Sequence, residues 1–265
     1  MIGKTRKLYG FTVTMAVVLT GWLADQCQAA DGWTDQRLAG PFICRATFPL
    51  DDHLKLFDEL AKLQHELVRV LGIEPATEPI ELYLFHDKST YRRFLRRQFP
   101  EVPYRQALFV KNNGPGRVFA HLHREFEVDL RHECTHALLH AVLPMVPLWL
   151  DEGLAEYFEL PEAERASGHA HLKSLRWNMR LGLIPTLESL DERRGLSEMG
   201  SQEYRFSWAW VHYMLHGPPD AHRELVSFLA DIRAGTPPGQ LSVRLGQRLP
   251  DVERQLARHF KQWQR

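Results

Sequence analysis

Arg131-His132-Glu133-Cys134-Thr135-His136-Ala137-Leu138 is the stretch on which the reading of this chain turns. It lies in an apolar run that reads as helix, and on a helix residues four apart stand one above the other. His132 and His136 therefore project from one face toward one point. That spacing lets two imidazoles share a zinc ion at roughly 2.0–2.1 Å each. Glu133 lies about 100° around the helix from His132, so it flanks such an ion without binding it and is the candidate base. By the same count Cys134 points away from His132 and reads as core.

A second stretch completes the set. After a turn containing Pro144 and Pro147 comes Trp149-Leu150-Asp151-Glu152-Gly153-Leu154-Ala155-Glu156-Tyr157-Phe158. Glu152 offers a third protein ligand and leaves a fourth position open for water, as a catalytic zinc site requires. Glu156, one turn on, shares its face and is the candidate for orienting a ligand histidine through its second ring nitrogen. The cofactor implied is Zn²⁺.

His132-Glu133-x-x-His136 followed by Trp149-Leu150-x-Glu152-Gly153-x-Ala155-x-Tyr157 resembles the gluzincin metallopeptidases. The pattern is most similar to the peptidase-MA-like branch found in many secreted bacterial proteins. The resemblance implies that His132, His136 and Glu152 bind zinc and that Glu133 is the general base. It also implies a zincin-like α+β fold, a small mixed sheet with the His-Glu-x-x-His helix, followed by a mainly helical C-terminal part. Likeness extends from about Phe42 to the C-terminus, but the sharp motifs occupy only 131–158. Two departures narrow it. No Gly-x-Met-Glu-Asn motif is present to hold a substrate amino terminus, so exopeptidase action is not supported. Leu139 and Val142 stand where a metzincin would have Gly and His. Zincins commonly supply a downstream Tyr or His to the oxyanion, and Tyr204, just before Trp208-Ala209, matches that role; simple packing at a helix start is the alternative.

Composition narrows the function classes. The chain has 265 residues, 44% hydrophobic and 25% charged, which is an ordinary globular balance. Its 33 basic and 33 acidic residues cancel, so no polyanionic partner is implied and nucleic-acid binding has no electrostatic footprint. Tyr91-Arg92-Arg93-Phe94-Leu95-Arg96-Arg97 reads as the solvated face of an amphipathic helix. Residues 1–29 read as a signal peptide: Lys4, Arg6 and Lys7 precede an apolar run over 8–24, and Cys27-Gln28-Ala29 offers small residues for cleavage. An uncleaved N-terminal anchor is the alternative, and would be the only membrane association. Either way the chain is expected to be exported, periplasmic or extracellular. Cleavage leaves Cys44 and Cys134, which could pair in an oxidising compartment or stay as buried thiols.

Along the chain, 41–48 reads as a first strand, and Asp51 or Asp52 caps a helix whose apolar residues recur at helical spacing to Gly72. Residues 80–85 alternate as a strand, and Ser89 caps a helix ended by Pro100. Residues 107–110 and 117–120, joined by a Gly-rich loop, read as a hairpin. The segment 125–128 is either a last strand or the lead-in to the zinc helix. By the resemblance, 118–123 is the edge strand that would take extended peptide by β-augmentation. His121 and His123 share one of its faces, read as solvent-facing. His140 could line the cleft or pack beneath the loop. Beyond Phe158 the chain turns helical, with 206–213 read as aromatic core. The domains expected are 30–160, holding the zinc site, and a helical 161–265. The function expected is an exported zinc endopeptidase acting on peptide or protein substrates. The alternatives are a non-catalytic binding module retaining the zinc site, or a hydrolase of a non-protein amide such as a cell-wall cross-link.

Overall fold

Five strands form one mixed sheet in the order β1-β2-β3-β5-β4. The strands are β1 (Asp35–Ala39), β2 (Phe42–Ala46), β3 (Ile80–Phe85), β4 (Ala107–Val110) and β5 (Arg117–His121). β1 and β4 run antiparallel to their neighbours, while β2, β3 and β5 are mutually parallel. The computed structural model describes residues 32–263 apart from residue 113, so the expected leader lies outside the described residues. Among the described residues no helix is long and apolar enough to cross a membrane.

The two-residue period of a strand gives the sheet two apolar faces. Phe42, Cys44, Leu82, Leu84, Val118 and Ala120 face the main core. Tyr83, Phe85 and Phe119 face the other way, into a smaller aromatic cluster closed by Tyr91, Leu95 and Phe99. Those last residues belong to α2 (Lys88–Gln98) and its end, whose opposite face carries the exposed Arg93, Arg96 and Arg97, the amphipathic arrangement expected. The main core is covered by α1 (Leu54–Leu71) and α3 (Phe126–Val142). Behind them stand α4 (Leu148–Phe158), α5 (Glu162–Arg165), α6 (His171–Leu181), α7 (Leu187–Asp191), α8 (Ser201–His216), α9 (Pro219–Arg233), α10 (Leu241–Arg248) and α11 (Val252–Gln262). One apolar cluster runs from Ala39 on the sheet to Phe260 on α11, across the expected 160/161 boundary.

Several expectations are corrected. The first strand has an unpredicted partner, β1, whose polar, half-exposed sequence carries little strand signal. The two are joined at Gly40, in the left-handed region at φ 59°, where an added Cβ would meet the Ala61 backbone at 3.0 Å. Asp87, not Ser89, caps α2, its side chain accepting from Ser89 N and Thr90 N. Of the two readings open for 125–128, the lead-in to the motif helix is the one adopted, with α3 beginning at Phe126. The strand expected at the edge is not there: β5 is interior, and β4 is the edge. His121 is buried rather than solvent-facing, its Nε2 3.0 Å from the Tyr104 hydroxyl. Cys44 and Cys134 are both buried free thiols, and burial pushes the Cys44 pKa up to about 12.

Candidate metal centre

α3 is buried nearly all round, and this is why its motif side chains hold one arrangement. Leu130, Cys134, Ala137 and Leu139 pack into the core, and Cys134 lies on the core side as its angle implied. Arg131 anchors the first turn of the motif, its Nε donating to the Glu159 carbonyl at 2.6 Å and its Nη1 to Glu59 Oε2 at 2.9 Å. Thr135 donates its hydroxyl back to the Arg131 carbonyl at 2.9 Å.

α4 begins at Leu148, after Pro147, and crosses α3 so that Glu152 meets both histidines. His132 Nε2 and His136 Nε2 are 3.2 Å apart, and Glu152 Oε2 lies 3.5 Å from the first and 3.7 Å from the second. A tetrahedral zinc ion bonded at roughly 2.0–2.1 Å sets its donor atoms about 3.3–3.4 Å apart. The three atoms therefore already stand at close to zinc-ligand spacing, with both imidazoles presenting Nε2, and the donor set fits the ion. Glu152 and His136 are more than nine-tenths buried, which excludes competing solvent from two of the three positions.

The far nitrogens are also engaged, though not by the residue expected. His132 Nδ1 lies 3.0 Å from Glu159 Oε2, and His136 Nδ1 lies 3.0 Å from Asp151 Oδ1. Glu156 does not orient a motif histidine; its carboxylate turns to His169 and His171. The pairing carboxylates are instead Glu159 and Asp151, the partners that fix a ligand histidine's tautomer and ring angle. Asp151 Oδ2 also meets His140 Nε2 at 2.9 Å, so His140 packs into this network and stacks on Phe109. Burial alone would lower the pKa of His132, but bonds to Glu152 and Glu159 hold it well above the ordinary histidine range. Burial likewise opposes the charge on His136, and Asp151 overrides it. Asp151 is held well below the usual carboxylate range, with His136 and His140 outweighing its burial. Three acidic side chains, Glu152, Glu159 and Asp151, thus leave the histidine pair in a field that favours a cation.

Glu133 stands beside this group and is held by the sheet. Its Oε2 accepts the Phe109 N–H at 2.8 Å, and Phe109 lies on the edge strand β4. The free edge of the sheet is thereby brought against the motif carboxylate. Tyr204 sits in the first turn of α8, half-buried, where Glu203 Oε2 accepts the Gly200 N–H at 3.0 Å. Burial raises its hydroxyl pKa to about 12, assisted by the charges of Glu152, Glu156 and Glu133, so it remains a proton-bearing donor near the site. What brings α8 so close is Gly153: a Cβ there would lie 2.6 Å from the Ser207 carbonyl oxygen. The aromatic run on α8 is core as expected, with Phe206, Trp208, Trp210 and Tyr213 all buried.

No family model matches this chain, and no curated protein matches it. Solved structures do. An M1 zinc metallopeptidase from Deinococcus radiodurans aligns at TM-score 0.44 and 16% identity, over 86% of this chain and 50% of that one. A point mutant of an M1 zinc metallopeptidase from the same organism aligns at TM-score 0.46 and 17% identity, over 87% and 51%. A two-domain M1 zinc metallopeptidase mutant bound to L-arginine aligns at TM-score 0.46 and 19% identity, over 84% and 48%. This chain spans about half the length of those it matches. At that level of likeness the comparisons carry no argument about chemistry, and the donor geometry stands on its own.

Proposed function

We propose that this chain is an exported zinc-dependent metallopeptidase of the gluzincin type, of the peptidase-MA-like kind, acting as an endopeptidase on peptide or protein substrates. One observation carries the reading: three buried or half-buried donors converge at zinc-ligand spacing beside an unligated carboxylate. His132, His136 and Glu152 would hold Zn²⁺, which when bound supplies Lewis-acid polarisation and a water acidified toward neutrality.

The chain's own groups supply the rest. Glu133 takes a proton and hands it to the leaving amine; Phe109 N–H holds one carboxylate oxygen, which leaves the other free for that transfer. Tyr204 donates its hydroxyl to the developing oxyanion. Asp151 and Glu159 keep the motif histidines turned so that Nε2 faces inward. β4 lies at the sheet edge, where the groups not taken by the Phe109 N–H bond to Glu133 can meet an extended backbone, a mode that reads main chain rather than side chain and suits cleavage within a polypeptide. Export rests on the basic and apolar residues of the 1–29 segment.

The test is hydrolysis of an unstructured protein such as casein by the zinc-loaded chain and by Glu133→Gln. The variant should keep its zinc and lose turnover by several orders of magnitude. A fully active Glu133→Gln enzyme would contradict the base assignment.

A further inference from the structure

A second group of metal-binding side chains lies one helical turn from the first. Glu156 follows Glu152 by four residues on α4, so it shares that face, but its carboxylate meets other histidines. His169, in the turn before α6, and His171, its first residue, bring their rings to it. Glu156 Oε2 lies 2.9 Å from His171 Nε2 and 3.4 Å from His169 Nε2. One donor atom from each of the three residues falls within 4.8 Å of the other two.

The two distances to Glu156 bracket the separation of about 3.3–3.4 Å that a tetrahedral zinc ion imposes on its ligands. Two further observations point to a cation there. His171 Nε2 is buried and its one polar neighbour is the Glu156 carboxylate, which a metal ion would join to it. Glu156 is a half-buried carboxylate whose only ion-pair partners among the described residues are these two imidazoles. Its charge is met by a protonated imidazole or by a metal ion held between the same two rings, and the ion can use both Nε2 atoms at once.

We propose that Glu156, His169 and His171 form a second divalent-cation site, taking zinc or a similar borderline ion through two imidazole nitrogens and one carboxylate. The donor set suits zinc, nickel or cobalt over magnesium or calcium, which prefer all-oxygen shells. Binding moves the remaining proton of His169 onto Nδ1 and gives up the long 3.2 Å acceptance from His171 N–H. It also withdraws His169 Nε2 from Glu159 Oε1, 3.3 Å away. Glu159 is the carboxylate that holds His132, so the second site reaches the first through one shared side chain. An ion at Glu156 would further tie the start of α6 to α4.

The experiment is equilibrium dialysis of the full folded chain against Zn²⁺ alone, with bound metal counted for wild type, His171→Ala, Glu156→Gln and Glu152→Ala. The expected counts are two ions for wild type and one for each variant, with circular dichroism unchanged. Glu156→Gln keeps the shape of the side chain, so a loss there reports a ligand rather than a collapsed loop. Any stoichiometry that His171→Ala and Glu156→Gln fail to lower overturns the second site. A count that Glu152→Ala fails to lower overturns the proposed catalytic site instead.

Discussion

Replacing Gly153 with alanine tests whether the close approach of α4 and α8 is what assembles the site. The new Cβ would lie 2.6 Å from the Ser207 carbonyl oxygen, 2.7 Å from its carbon and 3.0 Å from Val211 Cγ2. The first two are backbone atoms of a buried helix, so no side-chain rotation relieves them; α8 itself must move by several tenths of an ångström. Overpacking of that kind costs about 1–3 kcal/mol. Alanine returns up to about 1 kcal/mol through helix propensity. The expected net is a loss of about 1–2 kcal/mol, which for a chain of this size lowers Tm by roughly 2–8 °C. Gly246 is the control, because it also lies within a helix, α10, but a Cβ there meets nothing within 4 Å. Gly246→Ala should therefore stabilise by about 0.5–1 kcal/mol. Urea unfolding reads both, as midpoint shifts at constant slope. Because α4 carries Glu152 and α8 carries Tyr204, Gly153→Ala should also weaken zinc retention and activity. If Gly153→Ala proved as stable as Gly246→Ala, the α4–α8 contact would not be the constraint described.

Glu159→Ala removes the partner of His132 Nδ1 and should weaken zinc binding at the first site about 10–100-fold, read by competition with a chelating dye. Tyr204→Phe should keep the zinc and lower kcat about 100-fold with little change in KM; an equal rise in KM with kcat intact would make Tyr204 a packing residue. Burial pushes the pKa of His212 down to about 3 and that of His259, in contact with it, to about 4, from an ordinary 6.5. The folded chain therefore holds these rings neutral while the unfolded chain takes up protons below about 6.5, so stability is lost as pH falls from there toward 4 and then 3. For His212 the slope approaches about 1.4 kcal/mol per pH unit, and less for the more exposed His259. Urea midpoints between pH 7 and 5 should fall more steeply in wild type than in His212→Gln, and parallel slopes would contradict the assignment.

Much of this was legible in the chain because it is local. A helix places residues four apart on one face, so His132, His136 and the Glu152 face could be read directly, as could helices bounded by Gly72 and Gly182, both in the left-handed region. What was missed depends on how elements cross. Glu156 looked like the histidine partner because it follows Glu152 by one turn. Glu159, two turns on from Glu152 and on the same stripe, reaches His132 instead, because of where α4 packs against α3. Asp151 faces His136 for the same reason, and no periodicity within α4 reveals it. Strand order is equally non-local. A hairpin can join a sheet through either strand, and the parallel pairing of β3 with β5 left β4 outside. The β1 strand has the polar, half-exposed pattern of a sheet edge and little apolar signal to find it by.

The most direct measurement is anomalous diffraction at the zinc absorption edge from crystals of the chain from Ala30 onward. The account predicts a peak bonded by His132 Nε2, His136 Nε2 and Glu152, at roughly 2.0–2.2 Å from each. A well-ordered crystal grown with zinc, yet with no peak between those three side chains, would contradict it.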